Sequence, residues 1–191
     1  MNLSLTIPEI IAIATLLVML TVGSAWLYMR KRRTATAGLR HRFGSEYDRT
    51  VETQGSERKG EGNLRDREKR VEKLEIRELD PAERTRFVEQ WKSVQLRFVE
   101  SPAGAVTEAD DLVSFIMQTR GYPVADFEQR AADISVVHPR VIENYRAAHA
   151  IALRVDKSET NTEELRTAIV YYRSLFDELV EARAVDAKNA A

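Results

Sequence analysis

Hydrophobic and polar positions fall into three regimes along the chain. Residues 5–29 (LTIPEIIAIATLLVMLTVGSAWLYM) are apolar with a single charge, Glu9. Residues 30–79 are charged, with sparse apolar positions, and from Asp80 onward apolar residues recur every three or four positions as far as Val180. The first regime predicts a transmembrane helix over residues 7–29: its 23 residues reach roughly 35 Å as a helix, against a hydrocarbon core of about 30 Å. Pro8 suits a first helical turn, and Trp26 and Tyr28 suit an aromatic belt. Arg30-Lys31-Arg32-Arg33 follows at once, whereas residues 1–6 hold no Lys or Arg. The positive-inside rule therefore places the N-terminus outside and everything after Arg30 in the cytoplasm. A cleaved signal peptide needs positive charge before a shorter apolar run, the reverse of what stands here.

The last regime predicts an all-α bundle of about four main helices over residues 80–185. Asp80-Pro81-Ala82-Glu83 combines a cap, a first-turn proline and a capping box, and Phe87, Trp91, Val94 and Phe98 follow on one face. Ser101-Pro102 stops that helix and starts the next, with Val106, Ala109, Leu112, Val113, Ile116 and Met117 inward. Glu108, Asp110 and Asp111 are placed on the solvated side of that helix. Gly121 with Pro123 reads as its end. Asp126 with Gln129 caps a short helix from Phe127 to about Ile134. Pro139 opens another, facing inward with Val141, Ile142, Tyr145, Ala148, His149 and Ala152. Asn161 with Glu164 caps the last, which runs from Leu165 to Val180. No segment alternates in the manner of a strand.

Between the two lies a less regular stretch. Leu39, Phe43, Tyr47 and Val51 recur every four residues around Gly44, a short amphipathic pattern. Residues 30–62 are read as a basic juxtamembrane segment ending in a flexible Gly-rich linker (ETQGSERKGEG, 52–62), and 63–79 as a solvated charged helix. Residues 186–191 are read as a disordered tail.

Charge sharpens this division. Residues 30–78 carry 15 Lys and Arg against 10 Asp and Glu, and residues 79–191 carry 14 against 19. The basic part suits an anionic lipid surface, with Arg30, Lys31, Arg32 and Arg33 at the membrane. The acidic bundle lacks the clustered cationic face that nucleic acid requires.

The chemistry is mostly exclusion. The chain has no Cys, which removes disulfides, thiolate catalysis and Cys-ligated metals. It contains neither Glu-x-x-His nor His-Glu-x-x-His, and its glycines match no phosphate-binding loop. No metal, cofactor or catalytic residue is expected. Arg120, Tyr122, Asp126, Arg130, His138 and Arg140 cluster around two predicted turns and are the candidate partner- or ligand-binding face. Tyr145, His149 and Tyr172 form an alternative pocket between helices.

Phe43-Gly44-Ser45-Glu46-Tyr47-Asp48-Arg49, Val94-Gln95-Leu96-Arg97-Phe98-Val99 and above all RGYPVADFEQRAADISVVHPRV (120–141) resemble an uncharacterised family of small bacterial proteins. The resemblance covers everything after about residue 39. It implies a bacterial source, an N-terminal membrane anchor and a helical cytoplasmic domain, and it carries no function or catalytic residue. The expected protein is a membrane-tethered adaptor or scaffold under the inner membrane, working through an unknown protein partner. The alternative is a small-molecule sensor or enzyme using the pocket near His149, and self-association is a third option.

Overall fold

The computed structural model describes residues 7–155 and 160–181, the side chains of residues 7–15, 18 and 28 excepted. All elements among the described residues are helices: α1 (Ile7–Phe43), α2 (Ser45–Gln54), α3 (Glu57–Val71), α4 (Pro81–Glu100), α5 (Pro102–Thr119), α6 (Phe127–Val137), α7 (Ile142–Val155) and α8 (Thr162–Glu181). The chain divides into two units, residues 1–41 and residues 42–191.

The first unit is helical throughout its described length. Leu16, Leu17, Met19, Leu20, Val22, Trp26, Leu27 and Met29 are exposed on it, as are Arg30, Lys31, Arg32 and Arg33. The Arg30 guanidinium lies 5.5 Å from the centre of the Trp26 ring. Among the described residues no helix is long and apolar enough to cross a membrane. These apolar side chains and the four cations lie on one helix, α1. The same helix then continues without a break through the four cations to Phe43. The expectation of a transmembrane helix over 7–29 is corrected accordingly, and with it the single-pass anchor, the inner-membrane location and the orientation drawn from it. The short extracytoplasmic segment expected at residues 1–6 and the tail at 186–191 lie outside the described residues.

The second unit is the bundle. α4 and α5 form one antiparallel hairpin around Ser101, α7 and α8 form another, and α5 packs against both α7 and α8. The apolar stripes meet in one core built on Phe87, Trp91, Val113, Ile116, Tyr145, Tyr172 and Phe176. Trp91 stacks on Phe176 with ring centres 4.8 Å apart. Helix starts follow local chemistry. The Glu83 amide donates to Asp80 Oδ1 at 2.7 Å while the Asp80 amide donates to Glu83 Oε2 at 3.0 Å. Asn161 and Glu164 repeat this reciprocal pair at 2.9 and 3.0 Å. At α6 the Gln129 amide donates to Asp126 Oδ1 at 2.8 Å.

Residues 52–62 are not a linker. α2 runs to Gln54, Gly55 turns the chain at φ 71°, Ser56 caps, and α3 starts at Glu57. Gly60 signals close packing rather than flexibility: a Cβ there would stand 2.8 Å from the Val51 Cα, so α2 and α3 touch backbone to backbone. The charged helix expected at 63–79 ends at Val71. Residues 75–80 run without helix beside the α5–α6 turn, held by the Arg77 amide donating to the Arg120 carbonyl at 2.8 Å, with Leu79 in the core.

Candidate functional site: a groove backed by an Asp–His–Tyr network

A groove of about 500 Å³ opens where α2, the start of α6 and α7 meet. Arg49 forms the α2 side. Asp126, Phe127 and Glu128 form the α6 side, and Arg146, His149, Ala150 and Leu153 come from α7. Leu153 is 57% exposed at the edge of the groove. Arg146 is already neutralised, since its guanidinium reaches Glu46 at 2.9 Å and Glu128 at 2.8 Å. Arg49 makes no ion pair among the described residues.

Behind the groove the side chains are tied to one another. His149 lies flat on Phe127, ring centres 3.6 Å apart and planes 8° off parallel. Its Nδ1 stands 3.6 Å from Asp110 Oδ1, within ion-pair reach but too far for a hydrogen bond. The Tyr172 hydroxyl donates to the same Asp110 oxygen at 3.0 Å. Arg130 Nε donates to the Tyr145 hydroxyl at 3.2 Å, and Tyr145 meets Tyr172 edge to face.

The protonation states follow from this packing. Burial pushes the Asp110 carboxyl up, but His149, the Tyr172 hydroxyl and Arg130 together hold it below its ordinary value. Burial, and then the Asp110 charge, push the Tyr172 phenol up. Burial also raises Tyr145, partly offset by Arg130. Both phenols therefore stay protonated at neutral pH.

The structure scatters the predicted residues by role. Tyr145, His149 and Tyr172 do gather around Asp110, yet both tyrosines are fully buried and only His149 reaches the groove. Asp126 caps α6 and lines the groove. Arg130 joins the tyrosine network and Arg140 is exposed. Arg120, Tyr122 and His138 are buried elsewhere, with Arg120 bonded to Leu179 and His138 to Glu178 of α8. Arg30, Lys31, Arg32 and Arg33 are exposed on α1. Asp110, placed on the solvated side by its sequence pattern, is drawn half inside by Tyr172 and His149. Sequence reasoning also missed Arg49, Phe127 and the buried Glu46–Arg146 pair. The pattern gives no sign of them, because partner residues 100 apart in sequence leave no periodic trace. Among the described residues no three His, Asp or Glu side chains come together as a metal site.

His138 supplies a pH-dependent expectation. Its Nδ1 lies 3.1 Å from Glu178 Oε2; with that carboxylate ionised, Nδ1 carries the proton. Burial lowers its pKa below the ordinary value of about 6.5, and the Arg120 charge adds to this against the pull of Glu178. Above that pH His138 is neutral both folded and unfolded. Below it the unfolded chain takes up a proton that the folded chain resists, so stability falls as pH falls toward the folded pKa. The melting temperature should drop from pH 7 to pH 5, and His138→Gln should flatten that slope. An identical slope in the variant would assign the acid loss to other groups. Asp110 acts at lower pH, since its stabilisation is lost only below the ordinary carboxylate range.

A second concavity of about 420 Å³ lies between α4 and α5 over Val94, Leu112 and Phe115, and the Arg97–Glu108 ion pair at 2.5 Å spans it. It is backed by no comparable network. Comparison with family models, with curated proteins and with solved structures gives no match to this chain, so the site is read from its own geometry.

Proposed function

We propose that the 42–191 unit is a helical docking module, an adaptor or scaffold that receives a partner protein in the groove between α2, α6 and α7. The observation that carries this reading is the exposed Leu153 beside Phe127 and Ala150 in a concavity with charged walls. An apolar floor and a polar rim are what a partner helix requires. The groups capable of acid–base chemistry point the same way. Tyr172 is sealed against Asp110, and Tyr145 is held by Arg130. A pocket lined by Tyr145, His149 and Tyr172 together would have favoured a sensor or enzyme. The membrane tether of the sequence expectation forms no part of this reading.

Photo-cross-linking in cells tests it. A photoreactive residue at Leu153 should capture a defined protein adduct, and the same residue at the exposed Val170 of α8 should not. Phe127→Asp should reduce that adduct about tenfold, the loss expected for an anchoring contact. Equal adducts from both positions, or none from Leu153, would reject the groove as the docking surface.

A further inference from the structure

Within the 42–191 unit, the two sides of the groove are carried by different elements, the α2–α3 hairpin and the helices α6 and α7. α2 and α3 are packed backbone to backbone at Gly60 and Val51. The Tyr47 hydroxyl on Glu61 at 3.3 Å joins them further, and Arg42 at the end of α1 pairs with Glu68 of α3 at 2.8 Å. Their buried apolar residues Tyr47, Leu64 and Val71, with Phe43 at the end of α1, lie outside the core cluster of the bundle.

Charged side chains tie this hairpin to the bundle. Glu46 accepts from Arg146 of α7 at 2.9 and 3.1 Å and from Arg67 of its own hairpin at 2.9 Å. Arg70 donates to Asp133 of α6 through Nε and Nη2, at 2.9 and 2.8 Å, and Arg67 also reaches Ser135 at 3.4 Å. The Glu46 and Asp133 side chains are only 2% and 1% exposed. Parting such a boundary returns each ion to water, and hydration offsets much of the lost attraction. Opening the apolar core of the bundle brings no such compensation.

We propose that the α2–α3 hairpin is a jaw that leaves the bundle as one body, exchanging its ion pairs for water and carrying the Arg49 wall away from Phe127 and His149. The jaw itself follows from the fold alone. Its control over partner entry rests on the docking role proposed for the groove.

The absence of native cysteine allows clean spin labelling. Labels at Thr53→Cys on α2 and Val170→Cys on α8 report the jaw distance by electron–electron double resonance in the full chain. Glu46→Gln should add a longer distance and raise its population at least about tenfold over the parent, as expected from removing one member of a buried ion pair. Hydrogen exchange should show α2 and α3 amides opening together while α4, α5 and α8 stay protected. A single unchanged distance in Glu46→Gln overturns the jaw. So does exchange of hairpin and bundle amides at one common rate. Cross-linking at Leu153 with no jaw opening would overturn this inference and leave docking intact; jaw opening without cross-linking would do the reverse.

Discussion

Arg120→Ala should lower the unfolding free energy by about 2–5 kcal/mol, the loss of two charge-assisted hydrogen bonds plus a buried cavity. Arg120 has no solvent exposure. Its Nε donates to the Arg77 carbonyl at 3.1 Å and its Nη1 to the Leu179 carbonyl at 2.9 Å. Leu179 sits in the last described turn of α8, toward the negative end of the helix dipole. The guanidinium thus braces α8 from the end of α5 and ties down residues 75–80. Burial lowers its pKa, but from so far above neutrality that it stays charged. Truncation takes a charged donor from the buried Leu179 carbonyl and from the part-buried Arg77 carbonyl, and it leaves a cavity between them. Lysine should not rescue it, because a single ammonium cannot span both acceptors as the fork does. Urea unfolding with an unchanged slope against denaturant would measure the loss. The exposed Arg140→Ala should stay within about 0.5 kcal/mol of the parent. Equal small effects at both positions would remove the bracing role.

Gly121→Ala should cost about 2–5 kcal/mol for a different reason at the same junction. Gly121 has φ +99°, a backbone conformation that L side chains rarely adopt. A Cβ there would also stand 2.5 Å from the Glu75 carbonyl oxygen, which is backbone and has no rotamer to yield. Residues 75–80 would have to lift away, stretching the Arg77–Arg120 hydrogen bond. The same substitution at Gly62 meets nothing within 4 Å inside α3, and there alanine should stabilise by roughly 0.5–1 kcal/mol. The two variants should therefore move the melting temperature in opposite directions. A shared sign would show that the close approach at Glu75 is not what holds the turn.

These two positions also mark where sequence reasoning stops. Gly121 was legible as the end of a helix, because a glycine before Tyr122-Pro123 is a local signal. Arg120 looked like one more charge beside a turn and a candidate for a binding face. Its task is set by Leu179, 59 residues away. The glycines of 52–62 were read as flexibility for the same reason. Composition reports that Gly60 has no side chain, and only the approach of Val51 says why none fits there. The candidate site was half legible. The inward spacing of Tyr145, His149 and Tyr172 brought them together on paper, but not Asp110, Phe127 or the hairpin wall that completes the groove.

By itself the sequence determined the helical class, the starts of α4, α6 and α8 and the inward stripes of the bundle. Those depend on interactions within three or four residues, such as Asp80 with Glu83 and Asn161 with Glu164. Tertiary structure alone decided which polar residues are buried, which charges neutralise one another and where a concavity remains. Glu46, Arg146, Arg120 and Leu179 meet only once the helices have packed, and a contact across 59 or 100 residues has no counterpart in the periodicity of the chain.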